Sequence, residues 1–386
     1  MKRPLAICAV SGGRADYGLL TCPLRAVRSD PAFTLDLVLT GQHLDRAAGD
    51  TAARVRADGF EIAAEVDIGL GEGDDPAAVT RAAGRALASI ADVLARLSPD
   101  VVLLLGDRYE ILCCAIAATM ARIPIAHIAG GDVTEGSFDE SFRHAITKMA
   151  HLHFVTSEDA ARRVRQLGEP ADRVHVAGSP GLDRIRTTAV PARDPFFVAI
   201  GLTPGKVNLV VTFHPVTRAD DSVAQIDELL GALAAFDDSA ILFTGTNADP
   251  EGRQIQERIQ AFVQGRKNSK LFPSLGPELY FGALTHMDAV VGNSSSGLYE
   301  APSFAIPTIN VGDRQKGRLR ATSVIDCLPE RKAIRSAIDA ALARGRKATA
   351  SPYGDGHASE KIVAVLKSIE DPKRLLAKPF IDIPTA

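Results

Sequence analysis

The sequence predicts a two-domain α/β protein in which each half carries a parallel sheet covered by helices. Three observations predict it. Short apolar runs alternate with longer helix-like segments, the alternation restarts after a proline-bearing stretch at 187–195, and glycine-rich turns follow strands in both halves. At 386 residues the chain is long enough for two sizeable domains.

In the first half, apolar runs predict strands over 5–10, 34–39, 101–105, 123–128, 153–156 and 174–176. Between them, Val79, Ala83, Leu87, Ile90 and Leu94 recur at helical spacing and predict a helix over 76–97. Helices are also expected over 109–120 and 158–167, the second opened by Ser157 as N-cap. The stretch 187–195, with Pro191 and Pro195, reads as a linker. Strands at 208–213, 240–244, 289–291 and 307–310 then alternate with helices at 223–235, 254–263 and 278–284, and a last helix spans 359–369. The expected domains are 1–190 and 191–386, with the final helix packing back on the first. Ligands are expected in a cleft at the carboxyl ends of the strands.

With 46% hydrophobic and 24% charged residues, disorder and collagen-like structure are excluded. Forty-four Lys and Arg against 47 Asp and Glu leave a net charge of −3, which does not suit a general nucleic-acid binder. Five cysteines without a Cys-x-x-Cys pair read as reduced thiols of a cytoplasmic protein. Lys2 and Arg3 precede an apolar run too short for an export signal, and no run reaches the ~18 residues of a membrane span. No membrane or nucleic-acid partner is therefore expected.

Four features carry chemistry. The turn Ser11-Gly12-Gly13-Arg14-Ala15-Asp16-Tyr17-Gly18 sits between a strand and a helix, where backbone N–H groups cradle phosphate and the Arg14 fork suits phosphate oxygens. It also reads as a plain tight turn. Gly292-Asn293-Ser294-Ser295-Ser296-Gly297 is a second such turn. It is a diphosphate candidate, with Glu300 placed to accept from a ribose diol or, more plainly, to act as a first-turn acid. Gly106-Asp107-Arg108, His127 to Asp132, and Glu135, Asp139, Glu140, Arg143 and His144 form an acid-rich cluster at strand ends. Converging carboxylates push their pKa values apart, as acid–base chemistry needs; Asp139 and Arg143 at i, i+4 also read as a simple pair. Finally, His214 ends a strand and is a general-acid or phosphate candidate. His151 and His153 would share a strand face, but no third ligand has metal spacing, so no metal is expected.

Gly106-Asp107-Arg108, His127-Ile128-x-Gly130-Gly131-Asp132, the run from Phe138 to Lys148, Gly178-Ser179-Pro180, Phe213-His214-Pro215, Gly292 to Pro302, Gly312 to Arg318 and Tyr353-Gly354-Asp355-Gly356 together resemble the hydrolysing UDP-N-acetylglucosamine 2-epimerases of sialic and legionaminic acid biosynthesis. The resemblance implies a GT-B-like fold of two Rossmann-like domains facing a cleft, no cofactor, and a homo-oligomer, dimer or tetramer. It implies conversion of a UDP-2-acetamido sugar, UDP-N-acetylglucosamine or UDP-N,N′-diacetylbacillosamine, to UDP and the free C2-inverted, N-acetylmannosamine-type sugar. The path is anti-elimination followed by hydration.

Carried over by motif, Asp107 and Asp139 are catalytic carboxylates and His214 serves near the leaving phosphate. Arg14, Ser294, Ser295, Ser296 and Glu300 hold the nucleotide with Arg314 in support, and Tyr280 stacks on uracil. Many relatives carry glutamate where this chain has Ala129. Asp132, directly after Gly-Gly, is expected to cover that task, with Glu135 as the other candidate. The rival readings are a GDP-N-acetylglucosamine epimerase, a GT-B glycosyltransferase and a non-catalytic nucleotide-sugar-binding protein.

Overall fold

The structure, a computed structural model, describes residues 3–45, 51–70, 75–134, 139–215, 221–246 and 252–382. Two units divide it: residues 1–184 with 353–386, and residues 185–352. The break precedes the 190/191 division suggested by the prolines, and the tract 353–386 lies with the first unit rather than the second.

The first unit holds β1 (Leu5–Ser11), α1 (Arg14–Ser29), β2 (Phe33–Thr40), α2 (Thr51–Ala57), β3 (Ile62–Val66), α3 (Pro76–Leu97), β4 (Val101–Leu105), α4 (Tyr109–Met120), β5 (Ile125–Ile128), α5 (Asp139–Met149), β6 (Leu152–Val155), α6 (Glu158–Gln166), β7 (Val174–Val176) and α7 (Pro180–Thr187), whose last residues cross the break. The second holds α8 (Arg193–Ile200), β8 (Val207–Thr212), α9 (Ser222–Leu233), β9 (Ser239–Thr244), α10 (Gly252–Gln264), β10 (Ser269–Phe272), α11 (Gly276–His286), β11 (Ala289–Gly292), α12 (Ser296–Tyr299), β12 (Thr308–Val311), β13 (Val324–Cys327) and α13 (Arg331–Arg344). α14 (Ala358–Lys367) returns to the first unit.

Both sheets are parallel. Their orders are β3-β2-β1-β4-β5-β6-β7 and β10-β9-β8-β11-β12-β13, so each reverses its winding beside its first strand. That reversal opens a crevice at the carboxyl ends, between β1 and β4 and between β8 and β11.

Strand alternation builds the core. Ile7, Ala9, Leu37, Leu39, Leu103 and Leu105 face one apolar cluster, while Cys8, Val10, Val38, Val102 and Leu104 face the other. In the second sheet Leu209, Val211, Ile241 and Phe243 face one cluster, Val210, Ala240 and Leu242 the opposite one. Helix α3 begins where Asp75 accepts from the N–H of Ala77 and Ala78, at 2.8 and 3.0 Å, with Pro76 at its first position. It buries Ala78, Ala82, Ala86, Ile90 and Leu94 on one stripe and stops at Ser98 in a left-handed conformation.

The expected linker is partly helical. Pro195 sits in the first turn of α8, where its missing N–H costs nothing, and Phe196, Phe197 and Ile200 bury against the second sheet. Helix α14 lays Ala358, Ile362 and Leu366 beside Leu20, Leu24 and Val27 of α1 in one cluster, and Asp183 caps its start by accepting from Ala358 and Ser359 N–H at 2.9 and 2.6 Å. The tail then inserts Lys378, whose ammonium donates to the carbonyls of Lys148 and Ala150 and to Glu169. Burial opposes the Glu169 charge, but hydrogen bonds from His153, Lys148 and Lys378 pull its pKa down to about 2. No helix among the described residues is long and apolar enough to cross a membrane.

Gly292 closes β11 at φ +134°, and a Cβ there would run into the Thr212 carbonyl oxygen. Gly292→Ala is therefore expected to destabilise the second unit by about 2–4 kcal/mol in urea titrations. A loss below about 1 kcal/mol would contradict this backbone contact.

Candidate active site

In the first unit, β4 and β5 end side by side. Gly106 turns the chain at φ +79° after the fully buried run of β4 and delivers Asp107 to the carboxyl edge. His127 at the end of β5 supports the turn by donating Nε2–H to the Gly106 carbonyl at 2.8 Å. Burial drives the His127 pKa down to about 3, so the ring is neutral and structural.

Arg143 organises the acids. Its side chain is 7% exposed, and it projects from α5 to donate to Asp107 Oδ2, to the Asp132 carbonyl at 2.7 Å, to Glu140 Oε2 at 3.4 Å and to Thr134 Oγ1 at 3.2 Å. The guanidinium thereby fixes Asp107 while leaving that carboxylate 24% exposed. Glu140 also accepts from the Thr134 backbone N–H and stands 3.6 Å from His144. Asp139 opens α5 and is half-buried.

The loop after β5 turns through Ala129 at φ +63° and Gly131 at φ +77°. Ala129 rests on the first apolar cluster, and its N–H donates to the Phe154 carbonyl at 2.9 Å. Asp132 is drawn toward β6, where its Oδ1 accepts from Thr156 at 2.5 Å. The structure thus gathers Asp107, Asp132 and Glu140 around Arg143, with Asp139 adjacent on α5. Glu135 lies outside the described residues.

The turn after β1 is built differently from a simple phosphate cradle. Ser11 is buried and bonded to His43 Nε2 at 2.9 Å, and the Gly12 carbonyl accepts from Gln42 N–H at 2.8 Å. Arg14 opens α1 exposed, with no partner among the described residues. Beneath this turn lie Asp16 and the fully buried Glu110, joined by Arg108, whose Nε donates to Glu110 at 2.5 Å.

In the second unit, His214 follows β8 and is stitched to the end of β11. Buried Asn293 accepts from the His214 N–H at 2.7 Å and donates to its carbonyl at 2.8 Å. The Asn293 carbonyl accepts from Gln315 at 2.8 Å and from Arg314 at 3.3 Å, so Asn293 ties His214, Arg314 and the serine turn into one frame. Ser294, Ser295 and Ser296 are half-buried around the start of α12. Tyr280, the expected uracil neighbour, donates its hydroxyl to Ser296 at 2.6 Å; burial and the Glu300 charge raise its pKa. Glu300 ends α12 rather than starting a helix turn with it, so the first-turn-acid reading does not apply to that helix.

A family model described as UDP-N-acetylglucosamine 2-epimerase matches residues 25–367. The chain belongs to the UDP-N-acetylglucosamine 2-epimerase family. It is 38% identical to the polysialic acid biosynthesis protein P7 of Escherichia coli over 98% of this chain and 97% of that one. It is 35% identical to the hydrolysing UDP-N,N′-diacetylbacillosamine 2-epimerase of Legionella pneumophila over 96% and 98% of the two chains. A crystal structure of the Neisseria meningitidis UDP-GlcNAc 2-epimerase bound to UDP-GlcNAc superposes with a TM-score of 0.74 at 18% identity, covering 94% of this chain and 99% of that one. The expected fold class, two Rossmann-like domains of GT-B type, is the one this family member has.

Sequence reasoning passed over Asn293, Gln315 and the Asp16–Arg108–Glu110 group as separate site elements. A signal existed for the first: an asparagine directly after a buried strand needs every polar atom satisfied, so it marks a junction. Glu110 gave none, because an acid in the first turn of a helix is ordinary. His151 precedes β6 rather than sharing it with His153. Its Nδ1 accepts from Ile125 N–H at 3.1 Å, while His153 bonds Glu169 at 2.9 Å.

Proposed function

We propose that this family member hydrolyses a UDP-linked 2-acetamido sugar to UDP and the free sugar inverted at C2. The observation that carries the reading is Asp107, held partly exposed by buried Arg143 among further carboxylates at the carboxyl edge of the first sheet. The names of the relatives support the same substrate class.

In the first step a carboxylate removes the C2 proton. The C–H electron pair forms the C1–C2 double bond while the C1–O bond breaks and UDP departs. In the second step water adds its oxygen to C1 and gives up a proton to a carboxylate, while an acid delivers a proton to the opposite face of C2. Asp107, Asp132 and Asp139 supply the proton-transfer groups. His214 and Arg314, framed by Asn293, with Arg14 and the hydroxyls of Ser294, Ser295 and Ser296, hold and neutralise the leaving diphosphate. Glu300 and Tyr280 serve the ribose and the base. No hydride leaves the sugar, so a nicotinamide has no task.

Incubation with UDP-N-acetylglucosamine or UDP-N,N′-diacetylbacillosamine alone, in deuterated water and followed by proton NMR, tests this. The expected result is UDP and a C2-inverted free sugar deuterated at C2. Product that keeps its original hydrogen there would rule out elimination, and consumption only when an acceptor sugar is added would indicate a glycosyltransferase instead.

A further inference from the structure

The crevice between β1 and β4 contains two buried carboxyl groups that the reaction above does not use. Glu110 is 0% exposed, and its Oε2 is buried without a hydrogen-bond partner. Asp16 is half-buried, and its Oδ2 is likewise buried and unpartnered. Both press on the same glycine. A Cβ at Gly12 would lie 2.7 Å from Glu110 Oε1 and 3.2 Å from Asp16 Oδ2. A Cβ at Gly41, at φ +59°, would lie 2.8 Å from Glu110 Oε1. The two glycines make the space these acids occupy.

One cation serves both. Arg108 spends its Nε on Glu110 and is otherwise one-third exposed, its Nη groups bonded to nothing among the described residues. It stands next to Asp107 in sequence, and its charge acts on Asp16, which belongs to the Arg14 turn assigned above to the diphosphate. Two ionised carboxylates behind one guanidinium leave a buried negative charge uncompensated, which is the costly arrangement. We propose that Asp16 retains a proton beside the Glu110 carboxylate, and that this proton sets how much positive charge Arg108 presents to the substrate's diphosphate.

Both residues act through Arg108 and are positioning residues. The groups facing Asp16 agree with the proposal. Burial raises its pKa to about 7; Arg108 and the Gly12 N–H oppose the rise, and Glu110 and Asp107 add to it. The adjoining turn contributes His43, which burial holds neutral with a pKa of about 4. Below pH 7 the group Asp16–Glu110–Arg108 is neutral overall; above it, one net negative charge sits behind the guanidinium and repels phosphate.

The inference rests on the nucleotide-sugar reading, so the experiment has two arms. In the first, KM and kcat are measured from pH 6 to 8.5, using whichever of the two UDP-sugars is turned over; their pyrophosphate diester does not titrate in this range. Wild-type KM is expected to rise on the order of 3–10-fold across pH 7. Asp16→Asn, which mimics the protonated acid, is expected to lose that rise, with the change on KM rather than kcat. Glu110→Gln removes the charge that helps to raise the Asp16 pKa and is expected to move the rise in KM to lower pH, with Glu110→Asp moving it back toward pH 7. An Asp16→Asn profile that parallels wild type overturns the proposal.

The second arm needs no turnover. Carbon-13 NMR of protein labelled at aspartate carboxyls should show a resonance titrating near pH 7 that Asp16→Asn removes. If every aspartate titrates below pH 5 the proposal falls, whatever the substrate proves to be. If the resonance is present but neither UDP-sugar is consumed, the proton is in place and the nucleotide-sugar reading is the part that failed.

Discussion

Asp107→Asn lowers turnover about 10²–10⁴-fold, the range for a lost general acid–base group, and Asp139→Asn does the same. The geometry supplies a control that separates chemistry from placement. Asp107 and Glu140 are both partners of Arg143, and removing either takes a negative charge from a guanidinium that is 7% exposed. Glu140→Gln therefore reproduces the structural cost, about 1–3 kcal/mol for an unpaired buried group, without removing a proton-transfer residue. Turnover per folded molecule, with folding checked by circular dichroism, should fall far more for Asp107→Asn than for Glu140→Gln. Equal losses would mean that Asp107 acts only by holding Arg143, and an unchanged rate would remove it from the mechanism.

Acidification is expected to unfold the first unit well above the pH at which carboxylates titrate. Burial lowers the pKa of His127 to about 3 and those of His43 and His151 to about 4, with the positive charge of Lys378 adding to the last. The rings are held by hydrogen bonds: His43 through both nitrogens to Ser11 and Thr51, His127 through both to the Gly106 carbonyl and Thr147, and His151 through Nδ1 to the Ile125 N–H. A depressed folded-state pKa means that stability is complete above the unfolded value of about 6.5 and drains as pH falls toward the folded value. Between pH 7 and 5 each histidine costs about 2 kcal/mol and the three together about 6; Asp16, whose raised pKa makes the folded state take up the proton, returns about 2, leaving a net loss of about 4, a large share of a domain's stability. Urea titrations at the two pH values measure this, and His127→Gln should reduce the pH dependence by about half. A difference below about 2 kcal/mol would show that these rings are not kept neutral.

The parts of the fold legible in the sequence are those with one dominant local signal. β4 and α3 are examples: a continuous apolar run, and a helical period whose Ile90 and Leu94 are buried as expected, though Ala78, Ala82 and Ala86 take the buried stripe in place of Val79, Ala83 and Leu87. β3, β10 and β13 escaped because they are edge or near-edge strands with mixed burial, so their apolar alternation is diluted. Helix α8 was hidden by Pro195, which breaks a helix interior but fits a first turn. Among site residues, those at strand ends, Asp107 and His214, could be found because position and residue type agree. The frame that holds them, Arg143 and Asn293, acts across 36 and 79 residues of chain, and no local pattern encodes such a span. The same holds for Glu110, which meets the Gly12 turn only because β1 and β4 are neighbours in the sheet.

The return of residues 353–386 to the first unit has a consequence for biosynthesis. A ribosome delivers residues 185–352, a separate unit, before it delivers α14 and Lys378. Until then Leu20, Leu24 and Val27 lack the covering row of Ile362 and Leu366, and the carbonyls of Lys148 and Ala150 lack their ammonium donor. The nascent N-terminal half must therefore wait, incompletely covered, while the inserted unit can close first. Order of maturation thus runs opposite to order of synthesis.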